Sequence, residues 1–518
     1  MPSSTSRRSD APTALLAGAL IAVLHPLRFG YQYGTGDHDD LLPPIFARLD
    51  PGLFALDAYV QGQLDGVTVR TAFRTVVRSL ASVMPMPTAV GCLHLVASVG
   101  VGAGVYTLAR ALRGGRTASV LAAVLACVVV PTATIGGNAV LYSLLTPEGM
   151  AWAFAIPAMA FFVRDKRLLA GAFLGIAAWF HLLAAGLVGL GLVLAAVLEA
   201  RYEGEGWKSI GGFAGLAAFV AAPIAAPALL RQAAEAGAQL PDGLDPFTLY
   251  AILRFPHHYL PSGTGLSTWV LFLVAAGSGI AGYRVAHTSS RPPDTRFPVR
   301  FAFVSLGLIL LAMVGVLAAD SLFLARVQTL KLTVVLNVLA CIGIAIGAIS
   351  RVPSSMRQRT DQWLRRKPRR LLAAALVLVL LGVPSRGSPD ADRAAAVAQW
   401  AFMNTPRDAV FAVPPSLSGF RVPSQRSAVV TWKSVPFRTD LAADWWTRLT
   451  TVAPLATPPA TGRGLVEALD AAYASQPDSA RQAFADLYGA DYAVVPAETE
   501  TELPVEFESG PWRVLRLR

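Results

Sequence analysis

The sequence predicts a mainly α protein: a polytopic helical membrane bundle of about eleven transmembrane helices, with a soluble α/β domain at its C-terminal end. Three observations predict it. Of 518 residues, 54% are hydrophobic and only 15% charged, with a mean hydropathy of +0.50. A soluble domain carries about 25% charged residues, so an ordinary soluble enzyme is excluded. Apolar runs near the spanning length of about 20 residues recur along the first three quarters of the chain. After Pro384 the composition turns globular. Two domains follow, 1–384 in the membrane and 385–518 outside it, with a large first outer loop at 29–87.

The runs lie at 11–28, 88–109, 117–136, 149–163, 168–182, 183–199, 209–230, 266–283, 301–319, 330–350 and 371–384. The first follows Arg7 and Arg8 but is succeeded by His25-Pro26-Leu27-Arg28, with no small-residue cleavage site; it reads as an uncleaved anchor. The stretch 168–199 is unbroken and long for one span. It divides near His181, whose polar ring sits better at a membrane surface than within the bilayer. Charge supports the division. With a cytoplasmic N-terminus, 22 of the 44 Lys and Arg fall on inside segments, including the RRKPRR cluster at 365–370. With one span fewer, that cluster moves outside, against the positive-inside rule. The net charge of +11 is therefore a topology signal, and no nucleic-acid surface is implied. The short run 371–384 has Arg366, Lys367, Arg369 and Arg370 to snorkel at its inner end. Glycines in VGVGAG (99–104) and LVGLGL (187–192) serve close helix packing and are not phosphate loops.

In the tail, 390–403, 440–450, 464–473 and 478–488 read as helices. Residues 409–415, 427–433, 491–496 and 511–518 read as strands by their Val and aromatic content. Alternation of the two predicts a small α/β domain, long enough at about 130 residues for its own core. Cys92, Cys127 and Cys341 lie in apolar runs without a CxxC, so neither a zinc site nor a disulfide framework is expected.

The densest polar cluster is Gly34-Thr35-Gly36-Asp37-His38-Asp39-Asp40, followed by Asp50 and Asp57, directly after the first span. Carboxylates held this close repel unless they bind a proton, a hydroxyl or a cation, or are screened by water. The functional reading is a general base, or a divalent-cation site of oxygen ligands; the plain one is a solvated acidic loop. Residues 67–83 place Arg70, Arg74 and Arg78 four apart, with Val67, Phe73, Val77 and Leu80 on another face, as in a helix lying on the membrane surface. Arg254, His257 and His258 in RFPHHY suit phosphate or sugar hydroxyls; two adjacent His do not readily face one metal. Arg326 and Lys331 flank an outer span end, where the partner is a lipid phosphate or a first-loop carboxylate, or the side chains snorkel. Glu148 reads as a helix N-terminal carboxylate.

A polytopic chain with a long first outer loop, acids just after the first span and an outer α/β tail resembles the GT-C type of integral-membrane glycosyltransferases. GDHDDLLPPIFARLDPGLFALDAYV (36–60), RFPHHYLPS (254–262) and NTPRDAVFAVPPSLSGFRVPSQRSAVVTWKSVPF (404–437) are similar to segments of uncharacterised bacterial multi-spanning proteins. The GT-C resemblance implies transfer of a sugar from a polyprenyl-phosphate carrier to an acceptor at the outer face of a bacterial inner membrane. Lipid-linked donor and membrane lipids would be its partners. It implies Asp37 as the base, with Asp39 or Asp40 as close alternatives and Asp57 as a second carboxylate. Arg254, Arg326 and Lys331 would hold the carrier phosphate. A transporter or flippase of a lipid-linked or anionic substrate is the rival reading, and a non-catalytic envelope protein the third.

Overall fold

A computed structural model gives the structure of the protein and describes residues 10–203, 206–234, 240, 244–287, 293–366, 389–436, 438–455 and 461–518. The apolar run 371–384 and the basic residues Arg7, Arg8, Lys367, Arg369 and Arg370 lie outside the described residues. The chain divides into two compact units. One comprises Met1–Tyr31, Gly91–Ala226 and His257–Ser385; the other comprises Gln32–Val90, Pro227–Pro256 and Arg386–Arg518.

The first unit is helical. Among the described residues, seven helices are long and apolar enough to cross a membrane: Ala11–Phe29, Met86–Ala111, Leu182–Arg201, Trp207–Arg231, Leu266–His287, Arg296–Ala319 and Leu322–Ser350. Arg116–Val129, Pro147–Val163 and Arg167–Phe180 are apolar but shorter. The chain is thus an integral membrane protein. The long stretch 168–199 does break at His181: one helix ends at Phe180, and the next begins at Leu182. His181 caps that start, its Nδ1 accepting from the Ala184 N–H at 3.1 Å. Glycine brings helices together as the sequence predicts. A Cβ on Gly102 would come within 2.8 Å of Ile21, and one on Gly104 within 2.8 Å of Pro157.

The run 117–136 departs from expectation. Its helix covers Arg116–Val124, passes through a π-turn at Leu125–Val129, and gives way to irregular backbone before Pro147. Pro131 cannot continue the hydrogen-bond ladder, and Gly136 and Gly137 take φ of +85° and +66°. Hydropathy registers how apolar this segment is and misses those breakers.

The second unit holds a five-stranded mixed sheet of β1 (Val410–Ala412), β2 (Ser427–Ala428), β3 (Tyr492–Pro496), β4 (Val505–Ser509) and β5 (Trp512–Arg516), in the order β2-β1-β3-β5-β4. β1 pairs in parallel with β2 and β3; β5 pairs antiparallel with β3 and β4. Helices Pro389–Asn404, Thr439–Val452, Gly462–Ala474 and Asp478–Tyr488 follow the predicted segments. β4 was not expected. It is an edge strand whose Glu506 and Glu508 give it little hydrophobic signal. Ala394, Val397, Ala401, Phe411, Phe420 and Val514 form the core beside the sheet.

The first loop belongs to this second unit. Its helix Thr71–Ala81 is amphipathic as predicted, and its apolar face packs into the protein. Phe73 and Val77 are fully buried. Arg74 is buried too, donating to the Gln63 carbonyl at 2.7 Å and the Gln63 side chain at 2.8 Å. Its two Nη groups thus find acceptors within the loop, while its Nε has no hydrogen-bond partner among the described residues.

Candidate functional site

The first loop turns sharply after the first span. Gly34 and Gly36 have φ of +79° and +56°, and the Gly34 N–H donates to His38 Nδ1 at 3.1 Å. That turn leads into the short helix His38–Leu41 and so directs Asp39 and Asp40 inward. Asp57 is the N-cap of Ala58–Gly62, its Oδ1 accepting from the Val60 N–H at 3.1 Å.

Three of the four candidate acids are buried: Asp39 and Asp57 at 0% exposure and Asp40 at 7%. Their partners come from the tail. Arg421, also at 0%, donates Nε to Asp57 Oδ2 at 2.6 Å. Its Nη1 donates to Thr431 Oγ1 at 2.9 Å and to Ser434 Oγ at 2.8 Å. The Arg421 backbone N–H donates to Asp39 Oδ1 at 3.1 Å, the Ala428 N–H to Asp57 Oδ2 at 3.0 Å, and the Ser434 hydroxyl to Asp40 Oδ1 at 2.9 Å. A solvated acidic loop is therefore not what these residues form.

Burial pushes the Asp39 carboxyl up to about 7, against the pull of Arg421 and with the repulsion of Asp40 and Asp57 adding to it. Asp40 is likewise raised by burial, although Lys433 and Arg70 oppose the rise. Asp37 differs. Its side chain is 50% exposed and pairs with Lys433, itself 37% exposed, at 2.6 Å. Desolvation there is outweighed by the Lys433 ammonium, with help from Arg70 and His38, and the carboxyl is held down at about 2. The same pairing raises the Lys433 ammonium.

The expected phosphate ligands divide between the units. Arg254 lies with the acids in the second unit and is buried. It donates to the Trp432 carbonyl at 3.0 Å and the Lys433 carbonyl at 3.3 Å, and its guanidinium lies over the Trp432 and Phe255 rings. It thereby fixes the irregular segment that carries Lys433. His257, His258, Arg326 and Lys331 lie in the first unit. The two imidazoles are 4.1 Å apart, and His258 Nδ1 meets the Gly136 carbonyl at 2.6 Å. Arg326 is half-buried on the helix Leu322–Val327. Lys331 is buried and donates to Glu148 Oε2 at 2.7 Å and to Asn138 Oδ1 at 2.9 Å. Its anionic partner is thus Glu148, neither a lipid phosphate nor a first-loop acid. Glu148, in the first turn of Pro147–Val163, also accepts from Trp152 Nε1 at 3.3 Å and lies 3.9 Å from His181 Nε2. No cluster of three or more metal-ligating side chains occurs among the described residues.

Sequence reasoning singled out the acids but not Arg421, Lys433, Thr431 or Ser434, all within the stretch 404–437. The available signal was a lysine set in the apolar run SAVVTWKSVPF. A charge there needs a partner or an exit to water.

Fold and site together define a polytopic membrane protein whose second unit is built jointly from a first-loop acidic cluster and a C-terminal α/β fold. Residues 393–452 match the family described as Domain of unknown function (DUF6798). That stretch contains Arg421, Thr431, Lys433 and Ser434. No curated protein matches the chain. Among solved structures, the chain is similar to the Archaeoglobus fulgidus oligosaccharyltransferase tethered with an acceptor peptide. The identity is 12%, 94% of this chain and 69% of that chain are covered, and the TM-score is 0.46. That likeness is too distant to say what this chain does.

Proposed function

We propose that the chain is a membrane glycosyltransferase-like protein that moves a sugar from a lipid-linked carrier to an acceptor, with Asp37 as the carboxylate that takes the acceptor proton. One observation carries the reading: of the four first-loop candidates, Asp37 alone keeps a solvent-facing, ionised carboxylate, held by a lysine that is itself partly exposed. Asp39, Asp40 and Asp57 then act as positioning residues, fixing the loop to Arg421 and Ser434.

The pairing with Lys433 also gives the base a means of activation. A carboxyl held at about 2 is a weak base. A carrier phosphate that draws the Lys433 ammonium away removes the charge that depresses it, and its proton affinity rises as substrate arrives. Segments 32–90, 227–256 and 386–518 fall in one compact unit, which supports a reading that puts them on one face of the bilayer. The charge bias makes that the outer face, with the N-terminus inside.

The rival transporter reading has one observation of its own, the buried Lys331–Glu148 pair within the membrane unit. Asp37→Asn separates the two. It keeps size and removes proton affinity, so turnover of a polyprenyl-linked sugar in membranes should fall about 10²–10⁴-fold with thermal stability nearly unchanged. Unchanged turnover rejects Asp37 as the base. Substrate movement across the membrane that persists in Asp37→Asn and stops in Lys331→Met favours the transporter.

A further inference from the structure

The first unit holds a cavity of about 440 Å³, within the roughly 300–1,000 Å³ of small-molecule sites. Its wall includes His25, Phe29, Asn138, Tyr142, His257 and Thr264, and no Asp, Glu, Lys or Arg among the described residues lines it. Part of that wall is the irregular segment between Val129 and Pro147, mostly buried within a helical membrane unit. Such backbone persists in a membrane protein where its polar groups are satisfied and where it lines a cavity.

Here the satisfaction comes from specific side chains. Asn337 Nδ2 donates to the Val130 carbonyl at 2.9 Å, the Ile135 N–H donates to Thr333 Oγ1 at 3.0 Å, and the Ala139 N–H donates to the Tyr142 hydroxyl at 3.0 Å. Asn138 is oriented from behind. Its Oδ1 accepts from Lys331 at 2.9 Å and its Nδ2 donates to the Ile135 carbonyl at 3.1 Å. One amide proton is left for the cavity. Lys331 in turn is neutralised by Glu148 at 2.7 Å, so it sets the asparagine without charging the cavity.

Two polar groups in the wall have no protein partner among the described residues: Nδ1 of His25, a residue 2% exposed, and Oγ1 of Thr264. Thr132, Thr134, Ser143 and Thr268 add hydroxyls to the same wall, groups that suit an occupant with hydroxyls to share.

We propose that this cavity binds an uncharged sugar ring. An anionic or cationic head would enter without a counter-charge, whereas imidazole, hydroxyl and carboxamide groups beside the Phe29 ring suit a neutral polyhydroxylated ring with an apolar face. The proposal stands whether or not the chain goes on to transfer the sugar.

The test uses the full chain in phosphatidylcholine nanodiscs free of sugar detergent, with native mass spectrometry of retained probes. The probes are octyl glucoside, galactoside, mannoside and N-acetylglucosaminide, against the tail-matched octyl tetraethylene glycol ether and octyl phosphate. At least one glycoside should be retained about tenfold better than both controls. Thr264→Val removes a hydroxyl that has no protein partner. It should weaken that retention about tenfold while leaving thermal stability equal or higher, a combination that a structural role does not produce. His25→Leu should weaken retention as well, with some loss of stability because the imidazole also bonds the Leu141 backbone. Equal retention of all glycosides and the ether, preference for octyl phosphate, or retention indifferent to Thr264→Val and His25→Leu overturns the proposal.

Discussion

Replacing Arg421 with alanine breaks the centre of the second unit. The Arg421–Asp57 ion pair is 2.6 Å long with both side chains at 0% exposure, so water does not screen it. Two further charge-assisted hydrogen bonds, to Thr431 and Ser434, go with it. Summing each bond at about 1.5–3 kcal/mol overshoots, because bonds made by one guanidinium in one network are not additive. What decides the size is the charge left behind: Asp57 stays buried without its cation, which costs about 3–5 kcal/mol in a pair of this kind. Asp57 retains the Val60 and Ala428 N–H groups, which favours the lower half of that range. For a domain of 150–250 residues, this is a loss of roughly 10 °C in melting temperature. Differential scanning fluorimetry on the purified full chain reads it through Trp432, Trp445 and Trp446, which cluster beside Thr431. The pairing of Arg421→Met with Asp57→Leu should recover much of the loss, since a pair removed together leaves no orphan charge. The control is Arg463→Ala, whose side chain is 93% exposed and which should not shift the melt. If Arg421→Ala melts with the Arg463→Ala control, the buried pair contributes nothing and the account of this unit fails.

Asp39 sets a pH dependence. Its folded value, about 7, is above its ordinary 3.8, so its contribution is complete below 3.8 and is lost as pH rises towards 7. Asp40 shifts in the same direction, while Asp37, depressed to about 2, matters only below about 4. The melting temperature of the second unit should therefore fall between pH 4.5 and 7.5, and Asp39→Asn should flatten that slope; a slope of the opposite sign refutes it. In the first unit, Lys331→Met leaves Glu148 buried with only Trp152 and His181 beside it and should cost up to about 3–5 kcal/mol, with Lys331→Met/Glu148→Gln milder than the single change, as a denaturation series would read. For sidedness, exposed positions serve as reporters in a cysteine-free background: Ser479→Cys on the tail should react with an impermeant reagent in intact cells and Ser355→Cys should not. Labelling in the reverse pattern inverts the topology.

What the sequence determined by itself was local. Apolar runs marked the helices because hydropathy reports the solvent a segment meets. A lone histidine marked the break at His181, and Val-rich segments marked β1, β2, β3 and β5. The acids after the first span were legible as a cluster that needs a partner. Which partner was decided only by tertiary structure. Asp57 meets Arg421 across 364 residues, and Lys331 meets Asn138 across 193. The irregular wall at 130–146 owes its satisfied backbone to Thr333 and Asn337, about 200 residues away. Composition and spacing record whether a charge is present. Its burial, its protonation and its counter-charge depend on groups that only the folded chain brings within 3 Å.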